Sequence, residues 1–125
     1  MAAPVHHINS PEELRTLLAS TTYVAVDFFA DWCPPCKAIA PVFEKLAAQH
    51  GRPAHLVFAK VNVDRVPDAA QTYGISAMPT FLFFKDGAQV AVNGNAMIRG
   101  ADAAALGAAA EKLGGLAASK AEEAA

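Results

Sequence analysis

Trp32-Cys33-Pro34-Pro35-Cys36-Lys37 stands where a nearly continuous apolar run, residues 23–30, gives way to a segment of helical periodicity. The run is rich in β-branched and aromatic residues, as expected of a strand covered on both faces. From residue 35 to 51 the positions Ile39, Val42, Phe43, Leu46 and Ala47 recur at helical spacing, with Gly51 as a stop and Pro41 inside as a predicted kink. Both cysteines therefore fall in the first turn of a helix. Three residues apart they lie on one side, where their sulfurs can approach bonding distance. A helix N-terminus stabilises an anion by roughly 0.3–2 kcal/mol, enough to bring a thiol pKa from about 8.5 to about 7. The thiolate fraction then rises while intrinsic nucleophilicity falls, so the net gain is only about three-fold. Holding a second thiol beside the first is worth more, because effective molarities of well-placed groups are large. With Cys33 as N-cap, Cys36 is the close backbone donor to its sulfur, since Pro35 has no N–H.

Asp27 interrupts the apolar run between Val26 and Phe28. A buried carboxylate without a partner is costly, so its pKa is expected to rise. Near the second cysteine such a group can take a proton and return it.

Outward from this centre, Ser10-Pro11-Glu12-Glu13 reads as an N-cap, a proline at the first helical position and acids in the first turn. Leu14, Leu17 and Leu18 give the following helix, residues 11–20, one apolar face. Residues 5–8 are a short strand candidate and residues 55–63 a buried strand, while residues 67–73 suit a short helix opened by Pro67. Residues 80–85 form a strand, Asp86-Gly87 a turn and residues 89–93 the second arm of a hairpin. Residues 102–116 form a closing helix. The order β-α-β-α-β-α-β-β-α implies parallel crossovers first and antiparallel pairing last. A single domain over residues 1–113 is expected, with residues 114–125 an Ala-rich tail that is frayed helix or the start of a linker.

Bulk properties narrow the function classes. A formal net charge of −2 argues against a basic patch wide enough to grip a nucleic-acid backbone. Of the apolar residues 29 are Ala; the other 38 suffice for one core. Two cysteines exclude a disulfide scaffold, and they fall short of the four ligands of a structural zinc. No apolar run approaches the roughly 20 residues that cross a bilayer, and the acidic start is unlike a secretory signal. A soluble, single-domain, intracellular protein, without membrane or nucleic-acid partner, is the expectation.

The segment from Val26 to Lys37 resembles the active-site segment of the thioredoxin family. Ala40-Pro41 is similar to the family's kinked second helix, and Tyr73-Gly74-Ile75-Ser76-Ala77-Met78-Pro79-Thr80 to its loop bearing a cis-proline. Gly100 matches the glycine after the last strand, and Lys60 a lysine near the buried Asp. The resemblance spans about residues 5–113. It implies an α/β thioredoxin fold: a central mixed five-stranded sheet with helices on both faces. It further implies that Cys33 is the exposed nucleophile on a protein disulfide and Cys36 the resolving thiol, with Asp27 and Lys60 assisting. Trp32, Pro34, Pro35, Met78, Pro79 and Gly100 would shape the substrate groove. The implied electron donor is an NADPH-dependent flavoprotein reductase, with no cofactor on the chain itself and the cytoplasm, or also the nucleus, as its compartment. The sequence departs from the usual family pattern at Pro34, where Gly is common, and at Phe29, where Trp is common. Residues 93–106 also resemble the thioredoxin-like domain that begins longer, proteasome-associated redox proteins. That likeness implies a second reading, a redox-capable domain docking the proteasome or a C-terminal second domain. A disulfide oxidant or isomerase is the third.

Overall fold

The computed structural model describes residues 4–124. Its elements are β1 (His6–Ile8), α1 (Pro11–Ser20), β2 (Tyr23–Phe29), α2 (Pro34–His50), β3 (Leu56–Asn62), α3 (Pro67–Thr72), β4 (Thr80–Lys85), β5 (Ala88–Val90), β6 (Met97–Arg99) and α4 (Ala103–Ala124). The sheet runs β1-β3-β2-β4-β5, with β6 also on β4. The first three strands are parallel; β4 pairs antiparallel with β2, and β5 and β6 pair antiparallel with β4. Residues 1–3 of the expected domain, and Ala125 of the expected tail, lie outside the described residues.

Alternation along β2 builds two cores. Val24, Val26 and Phe28 face α1 and α3, meeting Leu14, Leu18 and Ala69. Tyr23 and Ala25 face the other way, onto Ile39, Phe43 and Leu46 of α2 and Leu106, Ala110 and Leu113 of α4. Phe43 anchors that side, its ring 5.4 Å from Phe58 and 5.6 Å from Phe81. Truncating a buried Phe to Ala typically costs about 3–5 kcal/mol.

Two expectations differ from the structure. The sheet has six strands in five positions, because β5 and β6 share one edge of β4 in succession: Phe83 pairs with Val90 and Leu82 with Met97. Between them the chain loops out and back across a Val92–Asn95 bridge, with Asn93 and Gly94 at φ of 52° and 82°. Buried Val92 anchors this excursion on the core, so the hairpin arm ends at Val90 rather than at 93. The closing helix, capped by the Asp102 carboxylate on the Ala105 amide (2.9 Å), continues through Gly114-Gly115 to Ala124. A Cβ at Gly114 would stand 2.7 Å from His50 Nδ1, so the glycine marks a close helix approach rather than a helix end. Ala117, beyond it, is fully buried.

Candidate functional site

Strand β2 delivers the chain from the sheet interior to the start of α2 through a tight turn in which the Cys33 amide donates to the Ala30 carbonyl (3.3 Å). Cys33 is the N-cap of α2. Pro34 and Pro35 have no amide hydrogen, so the first two free helical donors are those of Cys36 and Lys37. The Lys37 amide donates to the Cys33 carbonyl (3.2 Å), and the Cys36 amide to Cys33 Sγ (3.2 Å). The proline pair thus reserves one well-aimed donor for one sulfur, at the positive end of the helix dipole.

Cys33 and Cys36 are joined as a disulfide, their Cα atoms 5.3 Å apart. Both are buried, and Cys33 is only 3% exposed, which corrects the expectation of an exposed nucleophile. The cause is local packing: Ala30, Cys33 and Cys36 form a small apolar cluster with Phe29, Val63 and Met78. Cys33 Sγ lies 3.5 Å from the Met78 carbonyl oxygen, within reach of a donated S–H when the pair is reduced. The Met78–Pro79 bond is cis. The Pro79 carbonyl accepts from the Gly100 amide (2.8 Å), and Gly100 has a φ of 87°, a conformation that favours glycine. Met78, Pro79 and Gly100 are therefore one connected edge beside Cys33, with Pro34 and Pro35 exposed above it.

Asp27 lies on the sheet face that carries α2, two residues along from Ala25. It is fully buried, and neither carboxylate oxygen has a hydrogen-bond partner. Its strand neighbours are Lys60 on β3 and Phe81 on β4. Burial pushes its pKa up to about 7, against the opposing pull of the Lys60 charge. Lys60 Nζ sits 4.5 Å from the centre of the Phe29 ring. Lys60 and Cys36 line one cavity of about 180 Å³ that opens to the surface beside Lys37. Phe29, Ala30, Asp31 and Ala40 complete its lining, so Cys36 faces a partly open hollow that carries two cations and one carboxylate.

Trp32, the residue before Cys33, is 65% exposed. Its indole Nε1 donates to Asp64 Oδ2 (2.9 Å), and the Asp64 amide donates to Asn62 Oδ1 (2.9 Å). Asp64 and Asn62 were not among the expected site residues. Their signal in the sequence is faint: two polar residues, spaced by one, where the buried β3 run ends. Among the described residues no three His, Cys, Asp or Glu side chains converge as a metal site.

Comparison with known proteins places this geometry. The thioredoxin family model matches residues 5–106. The chain is 74% identical over 113 residues to a thioredoxin-like protein of Fusarium culmorum, covering 90% of this chain and 93% of that one. It is 59% identical over 121 residues to thioredoxin of Neurospora crassa, covering 97% and 95% of the two. The solved thioredoxin of Malassezia sympodialis superposes with a TM-score of 0.77 at 38% identity, covering 90% of this chain and 92% of that one.

Proposed function

The chain belongs to the thioredoxin family, and on that premise we propose how its residues share the reduction of a protein disulfide. It is a thiol–disulfide oxidoreductase that exchanges disulfides through Cys33 and Cys36. The observation that carries the reading is a closed cysteine pair at the start of α2, with the Cys36 amide on Cys33 Sγ at 3.2 Å.

In the reduced protein the Cys33 thiolate attacks one sulfur of the target disulfide. That bond breaks, the departing thiolate takes a proton, and a mixed disulfide joins Cys33 to the target. The Cys36 thiol then gives its proton to Asp27 and attacks Cys33 Sγ. The target's second sulfur leaves and is protonated, and the enzyme ends as the Cys33–Cys36 disulfide. Two electrons pass from the enzyme dithiol to the target. Asp27 suits the proton step because a pKa of about 7 lets it hold or release a proton near neutrality. Lys60 keeps that pKa from rising further, its charge favouring the carboxylate. Trp32, Pro34, Pro35, Met78, Pro79 and Gly100 form the groove along which the target backbone lies.

An NADPH-dependent flavoprotein reductase restores the dithiol in this account, and the cytoplasm, with the nucleus as a second compartment, is the place of work. No helix among the described residues is long and apolar enough to cross a membrane. Residues 1–113 act as the redox domain. The continuation of α4, with Ala117 packed into the core, favours counting residues up to 124 with it, above a role as linker to a second domain or the proteasome. The test is Cys33→Ser, assayed on a protein disulfide with dithiothreitol as donor. Reduction should fall to the rate of dithiothreitol alone while circular dichroism is unchanged. Undiminished reduction would overturn the mechanism.

A further inference from the structure

A second cleft, of about 240 Å³, lies next to the redox site, where β1 and β3 meet the end of β2. His7, Asn9, Asp31, Lys60, Asn62 and Arg65 line it. Among the described residues neither Lys60 nor Arg65 meets a carboxylate within ion-pair distance, and neither side chain donates a hydrogen bond. Lys60 and Arg65, neither in ion-pair contact, outnumber the one lining carboxylate, Asp31, and the Asp27 carboxyl that Lys60 also faces is protonated below about pH 7, so the cleft is locally positive there on a chain whose formal net charge is −2. Lys60 is held in place by the Phe29 ring. The Asn62 carbonyl oxygen is already occupied by the Asp64 amide, which leaves its NH₂ group to donate. Phe29, Asp31 and Lys60 also line the cavity onto which Cys36 opens, so the two hollows adjoin.

We infer that this cleft receives a carboxylate carried by the disulfide-bearing partner. A guanidinium fork, an ammonium and an amide NH₂ around one hollow match a carboxylate's two oxygens. Asp31 at the same hollow limits the site to one negative charge. The carboxylate comes either from an acidic side chain near the target cysteine or from a small acidic disulfide. The inference rests on the disulfide-reductase reading above, and Arg65 is its natural probe. Its exposed side chain makes no internal hydrogen bond, so replacing it leaves the fold intact.

The experiment measures kcat and KM of the full chain, with dithiothreitol as donor, on a peptide disulfide bearing Glu beside Cys, on its Gln counterpart, and on glutathione disulfide. The Glu peptide should be preferred over the Gln peptide by roughly three- to five-fold at low salt, the scale of an exposed charge pair. Arg65→Gln should remove that preference through KM with kcat unchanged, and Arg65→Lys should restore part of it. About 0.5 M salt should erase it. A parallel loss with glutathione disulfide adds the small disulfide as a source. A loss confined to one of the two substrates assigns the carboxylate to that source. Equal KM for Glu and Gln peptides, with glutathione disulfide unaffected by Arg65→Gln, overturns the cleft assignment and leaves the reductase standing. Failure to reduce even the Gln peptide overturns the reading beneath it.

Discussion

The two ends of α2 lie over the same face of the same sheet and are built to opposite ends. At its C-terminal end the packing is closed. Leu46 and Ala47 are buried, the Gly51 amide closes on the Ala47 carbonyl (2.8 Å), and His50 lies against the bare backbone of Gly114. At its N-terminal end the matching is left incomplete. Asp27 is buried with both oxygens unpartnered, and Trp32 stands 65% exposed. An unsatisfied buried carboxylate persists only where the surrounding packing over-determines the fold. The aromatic cluster of Phe43, Phe58 and Phe81, with α4 behind it, supplies that surplus. One end of the helix holds the fold; the other holds a reactive sulfur and a proton acceptor.

The largest effect expected from breaking this contrast comes from Asp27. Its pKa is about 7 in the folded chain against an ordinary 3.8, so the folded state binds the extra proton between those values. Stability should therefore fall as pH rises from about 4 through about 7, then level off, by about 4 kcal/mol in all. Denaturant midpoints for the oxidised protein across that range measure it, and Asp27→Asn should flatten the slope. The same variant should slow turnover, with a deficit that widens as pH rises through about 7, where the native carboxylate is ionised. A uniform deficit at all pH values would return Asp27 to a purely structural role.

Smaller effects sharpen the opposite end. Gly114→Ala should cost about 1 kcal/mol, although alanine is the better helix former, because the new Cβ would meet the His50 ring at 2.7 Å. Gly115→Ala meets nothing within 4 Å and should stabilise by roughly 0.5–1 kcal/mol. Thermal unfolding of the two variants reads the difference directly. Neither should alter the rate of disulfide exchange.

Much of this contrast is legible from residues alone. Ser10 with Pro11 sets the start of α1, and its hydroxyl does accept from the Glu13 amide (3.1 Å). The lone Asp in an apolar strand announces the raised carboxyl, and the paired prolines leave Cys36 as the one amide for Cys33. What escapes sequence reading is contact between distant segments. The sequence ends the closing helix at 116 and leaves residues 114–125 as frayed helix or linker, because only the approach of His50 reveals why a glycine belongs at 114. Asp64 looks like a solvated loop acid until the fold brings the Trp32 indole to it. The burial of Cys33 depends on Met78 and Val63, which arrive from elsewhere in the chain. The split of the last strand position into β5 and β6 is hidden because Val92 reads as strand, whereas it anchors a loop.

The division of labour within the cysteine pair is tested most directly by trapping. Cys36→Ser, reduced and then mixed with a disulfide-bearing protein, leaves a capturing thiol with no partner to release its catch. Intact-mass and peptide spectrometry should find the target held on Cys33 in a mixed disulfide that persists until dithiothreitol is added. A target recovered free, or bound at no cysteine of this chain, would contradict the account.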